Sequence, residues 1–200
     1  MSDLKGKDLL QDADLKLIKE VESFFKKLHG EQSSSTSLWT WSCNTPLLKR
    51  VERFLDESPE LCDYIASGKR DKKSLLDLGC GFCLYWPLFQ RWGFNNFTGI
   101  DLYTLRGCGD QGYQAAAQKI CGHFCKDSEV RIIEGFASDA GDLFCSNWPK
   151  QNGKIKFDCV FTWGTSYTHK KHVAKGISAE LFNEIVASRL VPDGFSIMIG

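Results

Sequence analysis

The segment LLDLGCGFCLYW, Leu75 to Trp86, decides how the rest of the chain is read. Leu75–Leu78 is a short apolar strand, Gly79 and Gly81 open a sharp turn, and the apolar residues from Leu84 onward begin a helix. In an α/β sheet, ligands bind beside such turns, at the carboxyl ends of the strands. Two glycines there allow backbone angles and a close approach that a Cβ would block. A dinucleotide fingerprint would need a third glycine at the position of Leu84, to bring the helix start against a pyrophosphate, so that fingerprint fails. An uncharged or zwitterionic ligand has no pyrophosphate to seat. It needs room beside the turn, with Asp77 nearby to face an ammonium group.

Outward from this segment the pattern alternates. A helix is expected over Leu84–Trp92, a strand over Phe97–Ile100 ending at Asp101, a helix over Tyr113–Cys125 and a strand over Val130–Ile133. A strand at Phe157–Thr162, a helix at Ala179–Leu190 and a strand at Phe195–Ile199 follow, with Pro192-Asp193-Gly194 as a turn before the last. Alternation of this kind implies right-handed crossovers, and so an α/β fold: a doubly wound, mostly parallel sheet with helices on both faces. Upstream the period is helical. Asp12–Leu28 places Leu17, Ile18, Val21, Phe24, Phe25 and Leu28 near one face. Thr45-Pro46 opens a helix through Leu55, and Ser58-Pro59 opens another to Ala66. Residues 1–70 therefore read as a helical extension, and residues 71–200 as the ligand-binding domain. The polar stretch Glu31–Ser37 is a connector, and the aromatic LWTWSC after it, with Trp39 and Trp41, reads as part of a lid.

The 25 basic residues balance the 25 acidic ones, so no global field draws in nucleic acid or an anionic membrane. No run approaches the ~20 apolar residues that span a bilayer. The nine cysteines are an odd number, and no apolar signal segment follows the polar start. A reducing cytoplasm with free thiols is the expectation.

The motifs now resemble a family. DLGCGFC is similar to the first motif of class I S-adenosylmethionine-dependent methyltransferases, with Asp77, Gly79 and Gly81 matching and Cys83 standing where a third glycine is usual. GIDLY brings Asp101, followed by Leu102, to the tip of the second strand, 22 residues beyond Gly79, where an acidic residue meets ribose hydroxyls. EGFASDAGDLF resembles the family's acidic segment after the third strand. The resemblance implies that Asp139 accepts from an adenine amino group and that Ala140 donates from its backbone. FDCVFTWGTSYTH resembles the fourth strand and loop of the small-molecule branch, with Thr162 and Trp163 lining the methionine arm and His169 as the candidate base. RLVPDGFSIMIG resembles the final helix, turn and strand.

The resemblance implies a Rossmann-like sheet, S-adenosyl-L-methionine as cofactor and Cys80 among the residues around it. It also implies a small-molecule acceptor, with no nucleic acid and no membrane as partner. Family members continue into a sixth and a seventh strand. This chain stops at the fifth, so it is expected to be a fragment, or to self-associate through that strand's open edge. Methyl transfer from a sulfonium needs mainly an acceptor held in line and water kept out, which suits strong cofactor motifs beside few catalytic residues.

Other readings stay open at this point. Cys80-Gly-Phe-Cys83 between strand and helix is the setting of a redox pair. Cys80, Cys83, Cys121, His123 and Cys125 are candidate zinc ligands at loose spacing, although the metal expectation is none. A member that binds the cofactor without catalysis is the third.

Overall fold

A computed structural model describes residues 6–30, 44–101, 112–134, 156–163 and 179–199. Strand β1, Lys73–Leu78, carries three leucines, Leu75, Leu76 and Leu78, all fully buried. A near-continuous apolar run of this kind marks a strand covered on both faces. It pairs in parallel with β2, Phe94–Asp101, on one side and with β4, Phe157–Trp163, on the other. Strand β3, Glu129–Glu134, lies outside β2, and β5, Leu190–Ile199, lies outside β4. The order is β3-β2-β1-β4-β5, parallel throughout. The winding reverses between β1 and β4, so the crevice of a doubly wound sheet opens at the carboxyl ends of those two strands.

Helices cover both faces. Leu76, Leu78, Ile100, Phe157 and Val160 pack against Phe182 and Ile185 of the helix Ala179–Arg189. The other face is thicker. Helix α1, Asp12–Gly30, buries Ile18, Val21, Phe25 and Leu28, spaced three and four apart along one stripe. Helix α2, Leu47–Asp56, buries Leu47, Val51, Phe54 and Leu55, and α3, Pro59–Ala66, buries Leu61, Tyr64 and Ile65. These join Leu75, Phe94, Phe97, Cys159 and Phe161 of the sheet in one apolar core. Helices α4, Trp86–Arg91, and α5, Tyr113–Phe124, complete that layer. Among the described residues, no helix is long and apolar enough to cross a membrane.

The elements fall where the sequence places them, with shifted ends. Helix α4 begins at Trp86 rather than Leu84, because the residues before it belong to the turn: Cys83 N–H donates to the Cys80 carbonyl at 2.9 Å. Strand β2 begins at Phe94, three residues earlier than expected. The Pro192-Asp193-Gly194 turn lies inside β5. Phe157 pairs with Leu190 and Cys159 pairs with Phe195, so a register shift absorbs the extra residues of β5. Pro192 has no N–H to give a ladder, and a bulge is where a strand tolerates it.

Candidate functional site

The chain leaves β1 through backbone bonds to the neighbouring strand. Gly79 N–H donates to the Ile100 carbonyl at 2.7 Å, and Cys80 N–H to the same oxygen at 3.2 Å. The turn then runs through the left-handed region three times, at Gly79 (φ 81°), Gly81 (φ 51°) and Cys83 (φ 57°). Glycine takes that region without strain, whereas a residue with a Cβ pays about 1–2 kcal/mol. Cys83 thus adopts a conformation that favours glycine, with its side chain fully buried.

Gly81 N–H donates to Oδ2 of Asp101 at 2.6 Å. The glycine turn and the carboxylate at the tip of β2 therefore stand side by side, at the carboxyl ends of adjacent strands. Asp101 is 5% exposed. A charged hydrogen bond of this type contributes about 1.5–3 kcal/mol and holds the carboxylate in one orientation.

Asp77 lies beneath the turn. It is 2% exposed, and its Oδ2 accepts from the Trp86 indole N–H at 2.7 Å. Burial pushes its carboxyl up to about 7; the indole bond opposes that shift and the nearby Asp101 adds to it. Thr162 hydroxyl donates to the Leu78 carbonyl at 2.8 Å, pinning the end of β1 to β4. Trp163, the last residue of β4, stacks on Tyr85 with centroids 5.2 Å apart and planes 4° apart, and the Arg53 guanidinium lies 6.0 Å from its ring. Burial pushes the Tyr85 phenol up to about 12 against the pull of Arg50.

The structure thus gathers Asp77, Gly79, Cys80, Gly81, Asp101, Thr162 and Trp163 around the ends of β1, β2 and β4. Leu102, Asp139, Ala140 and His169 lie outside the described residues, as do Trp39 and Trp41. Tyr85 and Trp86 are the participants that sequence reading missed. Their signal was an aromatic pair directly after the turn, with an acidic residue upstream in need of a donor.

The rival chemistries also meet the structure here. Among the described residues Cys62, Cys80, Cys83, Cys121, Cys125 and Cys159 are free thiols. His123 stacks on Phe24 at 4.7 Å. Among the described residues, no group of three or more His, Cys, Asp or Glu is arranged to hold a metal ion. A cavity of about 330 Å³ lies away from the turn, lined by Asp14, Gly68, Arg70, Arg91 and Trp92 among others.

No protein-family model and no curated protein matches the chain. Solved structures do. A candidate RNA methyltransferase from Pyrococcus horikoshii aligns over 92% of this chain and 74% of its own, at 15% identity and a TM-score of 0.51. A TehB-like SAM-dependent methyltransferase from Corynebacterium glutamicum aligns over 68% of this chain and 59% of its own, at 18% identity and a TM-score of 0.41. A SAM-dependent methyltransferase from Thiobacillus denitrificans, in complex with S-adenosyl-L-homocysteine, aligns over 69% of this chain and 46% of its own, at 20% identity and a TM-score of 0.43. The fold is that of the class I S-adenosylmethionine-dependent methyltransferases, a Rossmann-like α/β sheet. The chain spans about half the length of the last two of these relatives.

Proposed function

We propose that this chain binds S-adenosyl-L-methionine and transfers its methyl group to a small-molecule acceptor rather than to nucleic acid. The observation that carries the reading is the 2.6 Å bond from Gly81 N–H to Asp101, which joins the glycine turn and the carboxylate at one end of the sheet. The residues fit the cofactor. A carboxylate has about four acceptor sites. The Gly81 bond aims the Asp101 carboxylate, and a vicinal diol such as a ribose matches what a carboxylate accepts. Gly79 and Gly81 keep Cβ atoms out of the approach to the turn.

When bound, the sulfonium supplies a methyl group already activated by positive charge. The chain's part is to bind, orient and exclude water. Asp101 takes the ribose hydroxyls. Asp77 places a titrating carboxyl under the cationic part of the ligand, fixed by Trp86. Thr162 holds the Leu78 carbonyl, and with it the lip of the turn. The Trp163–Tyr85 stack forms an aromatic wall beside that lip and keeps water away. By family resemblance, Leu102 lies next to the ribose site, Asp139 and Ala140 hold the adenine, and His169 is the base in the acceptor loop. The balance of 25 basic and 25 acidic residues supports a small acceptor, since nucleic acid favours a basic surface. The free thiols support a reducing cytoplasmic setting.

Calorimetry with S-adenosylmethionine and S-adenosylhomocysteine tests the reading. Asp101→Ala is expected to weaken both ligands about tenfold or more, the loss of one charged hydrogen bond. Asp101→Asn, which keeps an acceptor for Gly81 N–H, separates loss of charge from loss of turn geometry. Equal binding by wild type and both variants, with circular dichroism unchanged, rejects the assigned role.

A further inference from the structure

The cavity of about 330 Å³ lies at the other end of the sheet from the glycine turn. Gly68 and Arg70, which line it, precede β1, and Arg91 and Trp92 precede β2. These are the amino ends of the strands whose carboxyl ends carry the glycine turn and Asp101. The short turn Gly6–Leu9, the start of α1 and the end of α3 supply the remaining walls. Ligand pockets run from roughly 300 to 1,000 Å³, so this one suits a small molecule.

The walls divide by chemistry. Leu9, Leu10, Ile65 and Ala66 make an apolar side. The polar side is rich in donors and short of acceptors. The buried carboxylate of Asp14 accepts from Arg91 Nε at 2.7 Å through Oδ1 and from Gln11 N–H at 2.8 Å through Oδ2, so both of its oxygens are engaged. Asp8 is exposed to water. Arg70 donates through Nη1 to the carbonyl of its neighbour Lys69 at 3.0 Å, and its guanidinium has further N–H groups to give. Trp92 is 1% exposed, with its ring fixed edge-on against Phe54 and Phe89 at 6.1 and 5.6 Å. Its indole N–H meets no acceptor among the described residues. A buried donor left unmet is costly, and water or a ligand usually answers it. The Arg70 backbone is held close as well. A Cβ on Gly93 (φ 107°) would lie 2.9 Å from the Arg70 Cα and 2.8 Å from the Tyr64 oxygen, so glycine is what lets this wall pack.

We propose that this cavity binds a small monocarboxylate with a short apolar body. The carboxylate accepts from the Arg70 guanidinium and from the Trp92 indole N–H, and the body covers the side made by Leu9, Leu10, Ile65 and Ala66. One guanidinium is neutralised by Asp14 and one is not, which balances a single negative charge on the ligand. An ammonium group would face the same donors, while the buried acid is already engaged. The site stands at the opposite end of the sheet from the donor crevice, so it does not rest on the function proposed above.

The test titrates the isotope-labelled full chain with isovalerate, acetate and isoamylamine, and follows the indole N–H signals by NMR. Trp92→Phe assigns the Trp92 signal by its disappearance. Isovalerate is expected to move that signal saturably, with a Kd in the millimolar range or below. Acetate, which lacks the apolar body, is expected to bind about tenfold more weakly. Isoamylamine is expected to leave the signal in place. Arg70→Gln, at an exposed position, is expected to weaken isovalerate about fivefold or more. If Trp92→Phe does not fold, as judged by circular dichroism, ligand-observed NMR of isovalerate with wild type and Arg70→Gln decides. A Trp92 signal that neither acid moves means an indole answered by water only, and overturns the proposal. So do an amine that moves the signal as far as the acid, acetate binding as tightly as isovalerate, and an Arg70→Gln chain that binds isovalerate as well as wild type.

Discussion

Asp77 shows what a single buried carboxyl does to this molecule. Its folded value, about 7, lies above the 3.8 of a free carboxyl. Between those two values the native chain keeps a proton that the unfolded chain has lost, so stability falls as pH rises through that window. Asp77→Asn keeps an acceptor for Trp86 and removes the charge. It is expected to stabilise the fold at pH 8 by no more than roughly 4 kcal/mol, with the gain fading toward pH 4. Urea unfolding at both values checks this, and an equal difference at both pH values refutes it. Gly99 is the second residue whose identity is dictated by its surroundings. A Cβ there would lie 2.5 Å from Cys80 Sγ and 2.8 Å from the Trp86 ring. Gly99→Ala is therefore expected to lower stability by about 1–3 kcal/mol, read as a shifted urea midpoint. Of the site residues, the two glycines and Asp101 are legible in sequence because their spacing alone places them at strand ends. Trp86 is not, because its role depends on the depth of Asp77.

At the scale of elements, β1 and β4 are stapled at their starts by Asp158. Its carboxylate accepts from Ser74 N–H at 2.9 Å, from Ser74 hydroxyl at 2.8 Å and from Lys73 ammonium at 3.1 Å. Burial works to raise this carboxyl, but the Ser74 and Lys73 bonds outweigh it and hold it below the usual range. Its contribution is therefore present at neutral pH and is lost as pH falls through the folded value. Asp158→Ala is expected to cost about 1–3 kcal/mol at pH 7, by stranding the Ser74 N–H, and less in acid. Thermal unfolding at the two pH values checks it, and a variant as stable as wild type at pH 7 removes the staple. Strand existence was readable from apolar runs, and helix existence from the 3.6 period. Element ends were less so. The start of α4 depends on Cys83 adopting a left-handed backbone, and the start of β5 on a register shift against β4. Neither leaves a local mark in composition.

At the scale of the molecule, the N-terminal helices are part of the same interior as the sheet. Phe54 of α2 touches the rings of Tyr85, Phe89, Trp92, Phe161 and Trp163, all within 6.1 Å. Asp14 of α1, 3% exposed, accepts from Arg91 of α4 at 2.7 Å. Removing residues 1–70 would strip the cover from Phe89, Phe94 and Phe161, each worth roughly 1.5–3 kcal/mol of burial. A chain starting at residue 71 is expected to show no cooperative thermal transition. A sharp transition in that shortened chain would mean that the sheet carries its own core. The sequence division at residue 70 marks a change of pattern, from helices to strand–helix alternation, and the interior runs across it.

The sequence alone determined the class of fold and the pairing of the glycine turn with Asp101, because both are written in local periods and in short spacings from one strand end to the next. Tertiary structure alone decided that Trp86 clamps Asp77 and that the N-terminal helices share one interior with the sheet. Those facts depend on which side chains are buried against each other, and burial is a property of the packed molecule rather than of any segment.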